Sequence, residues 1–369
     1  MTQTNAAGQV WGWNKAGRER YMGTMSTSPR PSLRQSRRLC VAPMMDWTDR
    51  HCRMFHRQFT SHALLYTEMI TSNAILHGDV AYLLGHNRAE HPLALQLGGS
   101  DPSQLARAVR IAAPFGFAEI NLNVGCPSDR VQSGTFGACL MRQPNLVADC
   151  AAAMIAAAGP DGPEITVKCR IGVDDQDPQT VLPGFIDRVA AAGVQVFAVH
   201  ARKAWLSGLS PKENRDVPPL DYPLVARVKR ERPELDIILN GGIASLEQAQ
   251  GHLAEGFDGV MVGRAAYHEP AAVLGGADML ITGTARPEVA AEDAVRAMYP
   301  YIEAELASGT RLIQITRHML GAFAGRPGAR HWRRVLSDHA HRPGAGAELV
   351  EQALSEVASI RAPLIAVAE

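Results

Sequence analysis

Cys126 stands between Gly125 and Pro127, where an alternating run over residues 120–124 gives way to a polar loop and then a helix-like segment. A thiol in that place could pack, ligate a metal, attack as a nucleophile or give up a proton. Five other cysteines occur, Cys40, Cys52, Cys139, Cys150 and Cys169, and no two of the six form a C-x-x-C pair. That spacing argues against zinc, and no metal is expected. Two further groups of residues could do chemistry. Lys168-Cys169-Arg170 and His200-Ala201-Arg202-Lys203 put cations and an imidazole at the ends of short apolar runs. Asn240-Gly241-Gly242 and Gly263-Arg264 put bare backbone N–H groups before helix-like segments, a pattern suited to a phosphate.

The elements that must position these residues follow from periodicity. Eight β-type runs are expected, at 39–42, 63–69, 93–97, 118–124, 165–171, 194–201, 236–239 and 259–262. Ala- and Leu-rich segments lie between most of them, as at 102–113 and 146–158. Strand–helix alternation means parallel strands with crossovers. Eight units over roughly 250 residues predict an α/β fold, a (β/α)8 TIM barrel. An open doubly wound sheet is the rival, weakened because no G-x-G-x-x-G follows the first run. Past 283–287 only helical periodicity remains. The expected domains are a disordered tail or misassigned start over 1–36, a barrel over 37–283 and a helical domain over 284–369.

In such a barrel the site lies at the C-terminal strand ends. Side chains alternate along each strand. Ile120, Leu122 and Val124 should pack on helices, while Glu119, Asn121 and Asn123 point into the lumen. Lys168 and Arg170 share the inward parity. Glu119 could anchor an internal ion-pair network. Lys168 is expected instead to reach a bound anion or electron-rich ring; for Arg170 both readings stay open. The turns after the last two strands are the usual phosphate site of this fold, where Arg264 would add a charge-assisted contact.

Bulk composition is that of an enzyme-sized globular protein: 369 residues, 46% hydrophobic and 20% charged, with 37 basic and 37 acidic residues. A net charge of zero hides local asymmetry. Between Arg311 and Arg342 there are seven arginines and four histidines against one acid, Asp338. Arg330, Arg333 and Arg334 should share one helix face, with Trp332, Val335 and Leu336 supplying apolar contacts. No apolar run approaches a membrane span and no signal peptide is visible, so a cytoplasmic protein with reduced thiols is expected, with neither membrane nor DNA as partner.

The residues Ala42-Pro43-Met44-Met45, Gln96, Asn121-Leu122-Asn123-Val124-Gly125-Cys126-Pro127-Ser128, Lys168, His200, Asn240-Gly241-Gly242 and Gly263-Arg264 resemble the tRNA-dihydrouridine synthases. The run from Ala201 to Arg215, the run from Thr316 to Gly321 and Pro327-Gly328-Ala329-Arg330 are similar to the bacterial A-type subgroup. The resemblance covers roughly residues 38–345. It implies FMN at the barrel mouth, NADPH as reductant and a uridine of the tRNA D-loop as substrate, at positions 20 and 20a for this subgroup. It also implies that Pro43, Met44 and Met45 line the flavin. Gln96, Lys168 and His200 contact its ring and phosphate side, and Asn240, Gly241, Gly242, Gly263 and Arg264 hold its phosphate.

Reducing the uracil 5,6 double bond takes a hydride at C6 from reduced flavin and a proton at C5 from the opposite face. An ordinary thiol, ionising near pH 8.5, is mostly protonated at neutral pH and can act as the acid. Cys126 is placed for that; the other five cysteines are expected to be buried packing. Asn123 could meet the uracil edge, the flavin or only the lumen, and the family pattern favours substrate. The uridine must be extruded from its loop. Lys212, Arg215, Arg330 and Arg333 are expected to position the tRNA backbone. Residues 128–137 are a candidate lid, and a monomer is expected. The alternatives are an FMN-dependent dehydrogenase of a small pyrimidine-like molecule, which has no use for a basic helical domain, and a tRNA-binding protein without catalysis.

Overall fold

The computed structural model describes residues 2–4, 10–12, 31–128, 136–285 and 287–365, with side chains from 31 to 357. The candidate lid therefore falls mostly outside the described residues. Eight parallel strands close a barrel. They are β1 (Leu39–Val41), β2 (Leu64–Thr71), β3 (Leu93–Gly98), β4 (Glu119–Val124), β5 (Glu164–Arg170), β6 (Val196–His200), β7 (Asp236–Asn240) and β8 (Gly259–Val262). Each pairs with its sequence neighbour, and β8 pairs with β1 to close the ring. All eight expected runs are present.

Helices cover the outside. Their starts are written in the sequence. Asp101 caps helix Pro102–Ala112 by accepting from the Ser103 and Gln104 N–H groups, and Pro102 occupies a first-turn position where no amide hydrogen is needed. Helix Arg50–Phe59 is capped the same way by Asp49. Strand parity sorts the core in two. Ile120, Leu122, Val124, Val167 and Cys169 pack outward with the helices. Cys40, Tyr66, Ala94, Ala198 and Met261 fill the lumen.

Residues 31–38 begin the barrel earlier than the sequence suggests. Ser32 caps a short helix, Leu33–Ser36, through a reciprocal capping box with Gln35. Leu33 packs against the lumen cluster, and Arg37 is buried beneath it. Further upstream, Thr2–Thr4 pairs antiparallel with Val10–Gly12.

Beyond Gly283, whose φ of 70° ends helix Ala277–Thr282, only helices occur among the described residues: Ala291–Ala297, Tyr299–Ala307, Leu312–Thr316, Ala329–His339 and Ala347–Ile365. They share one apolar cluster with the barrel, running from Leu39 to Val357. Gly321 permits the close fit, because a Cβ there would stand 2.3 Å from the His268 carbonyl oxygen. No helix among the described residues is long and apolar enough to cross a membrane.

Candidate active site

The inward residues of β4 and β5 build a column of hydrogen bonds up the lumen. At its base Glu119 Oε2 accepts from Arg37 Nε at 2.9 Å, and Glu119 Oε1 accepts from Tyr66 and from Thr166 Oγ1, the latter at 2.6 Å. Asn121 Nδ2 donates to Thr166 Oγ1 at 2.8 Å, Gln96 Nε2 to Asn121 Oδ1 at 2.9 Å, and Asn123 Nδ2 to Gln96 Oε1 at 2.9 Å. Asn123 Oδ1 finally accepts from the Gly125 and Cys126 N–H groups at 2.9 and 3.0 Å. Asn123 thus ties the cysteine loop to the lumen, with one amide hydrogen left over. Gln96 is buried and spends both ends of its amide in the column.

Cys126 is half-buried, with Sγ 3.5 Å from Ser128 Oγ. Its carbonyl accepts from Ala138 N at 2.9 Å, so the loop returns to its own base. Of the other thiols, Cys40, Cys52, Cys150 and Cys169 are buried. Cys139 departs from expectation. It is half-exposed, because the turn Gly137–Arg142 leaves its sulfur near the Phe136 carbonyl at 3.1 Å rather than in the core.

Lys168 lies beside Asn123 in the register of β4 and β5. It has no hydrogen-bond or ion-pair partner among the described residues, so it plays no part in the Glu119 network. Burial, with Arg170 next to it, lowers its pKa to about 8. Arg170 answers the open question differently: Nε donates to the Gly125 carbonyl at 3.2 Å, and Nη1 to the Lys203 and Asn214 carbonyls at 3.1 and 2.8 Å. It staples the cysteine loop to the loop after β6. His200 is buried, and desolvation with Arg170 and Lys168 alongside holds its imidazole well below the ordinary value. It is neutral at neutral pH.

The turns after β7 and β8 sit side by side. Gly241 and Gly242 have φ of 108° and 73°. A Cβ on Gly241 would stand 2.4 Å from His200 Cδ2, and one on Gly242 2.6 Å from Leu220 Cδ1. Glycine is therefore demanded by packing as well as by conformation. Gly263 is different: a Cβ there would meet nothing nearer than Met44 Sδ at 3.7 Å. Met44 thus lies near the β8 turn, with Pro43 and the exposed Met45 flanking it in the loop after β1. Asn240 donates to the Met261 carbonyl at 2.7 Å and braces the two strands. Arg264 forks onto Asp216 at 2.6 and 3.2 Å, so its charge is already shared. An unpaired cation, a neutral imidazole and two bare turns around one mouth fit a flavin and its phosphate.

The basic stretch of the helical region is only partly free. Arg317 and His318 meet Asp49, Arg326 meets Glu292, and His331 meets Glu356, acids far off in sequence. Helix Ala329–His339 keeps Arg330, Arg333 and Arg334 exposed, with Trp332, Val335 and Leu336 buried beneath. Arg330 and Arg333 have no acidic partner among the described residues. Lys212 and Arg215 are exposed on the loop after β6.

One strand end escaped the sequence reading. A register shift between Tyr66 and Met69 breaks the alternation of β2, which runs on to Thr71. It brings Thr67, Glu68 and Met69 to the rim. The only sequence signal was a β-type run longer than its neighbours.

Comparison with known proteins agrees with this geometry. The family model described as dihydrouridine synthase (Dus) matches residues 40–358. A tRNA-dihydrouridine(20/20a) synthase of Xanthomonas campestris is 58% identical over 329 residues, 89% of this chain and 96% of the relative. One from Vibrio cholerae is 56% identical over 326 residues, 88% of this chain and 98% of the relative. Among solved structures, a 2-naphthoyl-CoA reductase complex shares the fold at a TM-score of 0.50 and 12% identity, over 63% of this chain and 48% of that one. With a matched family model spanning most of its length and relatives more than half identical to it, the chain belongs to the dihydrouridine synthase family.

Proposed function

We propose that this flavin-dependent enzyme carries FMN, takes its electrons from NADPH, and reduces uridines 20 and 20a in the D-loop of tRNA to 5,6-dihydrouridine. The observation that carries the reading is the pairing of a tethered thiol with an unpaired cation: Cys126 is held by Asn123, and Asn123 neighbours Lys168 across β4 and β5.

When bound, the reduced flavin supplies the hydride for C6 of the uracil. Pro43, Met44 and Met45 would line it, and Lys168 would face its electron-rich ring. His200, being neutral, would offer a hydrogen bond without adding a second charge. The backbones at Gly241, Gly242 and Gly263 would take its phosphate. Cys126 Sγ gives its proton to C5 of the uracil. Asn123 and Arg170 keep that sulfur in place by holding the Gly125–Cys126 peptide, and the Ala138 N–H holds the Cys126 carbonyl on its other side. The remaining Asn123 hydrogen is free for a carbonyl of the base. Lys212, Arg215, Arg330 and Arg333 would hold the tRNA backbone.

The test is the purified protein itself. It should be yellow and release FMN on denaturation, and with NADPH it should form dihydrouridine in tRNA, mapped to the adjacent D-loop positions. A colourless protein that cannot be reconstituted with flavin would sink the proposal.

A further inference from the structure

A cleft of about 780 Å³ opens at the barrel rim, between the end of β2 and the helical region. Cys126 and Lys168 do not line it. Of the residues placed around the flavin, Met45 alone borders it, so the cleft is the next compartment along the same mouth.

Its walls are unusual for a gap between packed elements. Tyr82 stands at the edge with 72% of its surface exposed. The Arg50 guanidinium lies 5.9 Å from the centre of that ring and donates to the Tyr82 carbonyl at 2.8 Å. An aromatic ring backed by an arginine and open on its other face is a surface on which a base can stack. Inside, Glu68 Oε1 accepts from the Asp46 N–H at 2.5 Å, and Asp46 adopts a left-handed φ of 64°. Glu68 Oε2 has no partner among the described residues. Arg53 and Arg317 line the same wall but are held by acids, Arg53 by Glu90 and Arg317 by Asp49, so Glu68 Oε2 stands ready to accept an N–H edge.

We propose that this cleft is a second nucleotide subsite. It receives the base beside the reacting uridine, one with an N–H on its pairing edge, such as uracil or guanine. Tyr82 stacks on that base and Glu68 Oε2 accepts its N–H. The proposal rests on tRNA being the substrate. Extruding one uridine from a folded loop unstacks its neighbour as well. A compartment sharing Met45 with the first is where that neighbour can go.

The experiment is a double-mutant cycle between protein and RNA, using the flavin-loaded protein. Tyr82→Ala is combined with a tRNA carrying an abasic residue beside the reacting uridine, and initial rates of dihydrouridine formation are measured. Flavin absorbance and melting temperature report whether each variant is intact. Tyr82→Ala should raise KM for tRNA by about tenfold, the size of one lost base–aromatic stack, and move kcat far less. The abasic tRNA should raise the wild-type KM similarly yet add little to the variant. Tyr82→Phe should restore binding. Independent, multiplying effects, or a Tyr82→Ala KM within twofold of wild type, would overturn the subsite. If the wild type makes no dihydrouridine on intact tRNA, the reaction itself is misread and the subsite falls with it; an active wild type with an indifferent Tyr82→Ala removes the subsite alone.

Discussion

The lower and upper halves of the lumen both carry charged side chains, yet they balance charge in opposite ways. Below, Glu119 meets Arg37, Tyr66 and Thr166, and Arg37 also reaches Glu164 at 2.6 Å. The Tyr66 and Thr166 hydroxyls and Arg37 Nε and Nη2 all have carboxylate acceptors. Above, Lys168 has no counter-ion among the described residues, Arg170 meets only carbonyls, and His200 is kept uncharged by burial and by the cations around it. A buried ion costs several kcal/mol unless it is paired. The lower half meets that cost within the protein. The upper half leaves it to be met by something that binds, so the first region is built for stability and the second for a ligand.

Cys126→Ala would test the upper half most severely. Dihydrouridine formation should fall by about 10²–10⁴-fold, the usual worth of a positioned acid. Flavin reduction by NADPH, followed by bleaching, should persist; an unchanged product yield removes Cys126 as the proton donor. Glu119→Gln attacks the lower half. It leaves Arg37 with the half-exposed Glu164 as its one counter-ion among the described residues and should cost about 3–5 kcal/mol in urea unfolding. A loss under about 1 kcal/mol would mean the network does not anchor the barrel.

Lys168→Met should have the opposite sign. Removing an unpaired cation should not destabilise the flavin-free protein, while FMN affinity should weaken by about 10–100-fold, the value of a lost charge-assisted hydrogen bond. The same lysine predicts a pH effect. Its folded pKa of about 8 lies below the ordinary lysine value. The unfolded chain therefore binds more protons between those two values, and stability should rise with pH above 8. Lys168→Met should abolish that part of the gain, read as the difference between the two unfolding curves. The smallest effect is expected outside the barrel. Arg330→Ala with Arg333→Ala should weaken tRNA binding and lower its salt slope by about 2. An unaltered slope would assign that face another role.

The sequence showed the inward parity of Glu119, Asn121, Asn123 and Lys168 because one face of a strand is all that a period of two requires. It could not show what Glu119 meets. Arg37 arrives from before the first strand, and Tyr66 precedes the irregularity in β2. The same blindness applies to charge. Counting acids between Arg311 and Arg342 missed Asp49, Glu292 and Glu356, which fold back onto Arg317, Arg326 and His331. Asp216 likewise takes the fork of Arg264. Backbone turns at Gly241 and Gly242 were legible because few residues tolerate their φ. The rim cleft was not, because its walls come from four separate stretches of chain.

The amide column has a direction. Asn121, Gln96 and Asn123 could each stand either way round in isolation, but Glu119 at the foot has only lone pairs to offer while ionised, so every amide above it must hand its hydrogens downward and its oxygen upward. The oxygen that captures the Cys126 loop is thus oriented by a carboxylate at the opposite end of the barrel. The members form a single grammatical unit: Gln96→Glu or Asn123→Asp keeps shape and size but removes a hydrogen the sequence of bonds cannot spare, so a tolerated exchange at one member would need a matching exchange at the next.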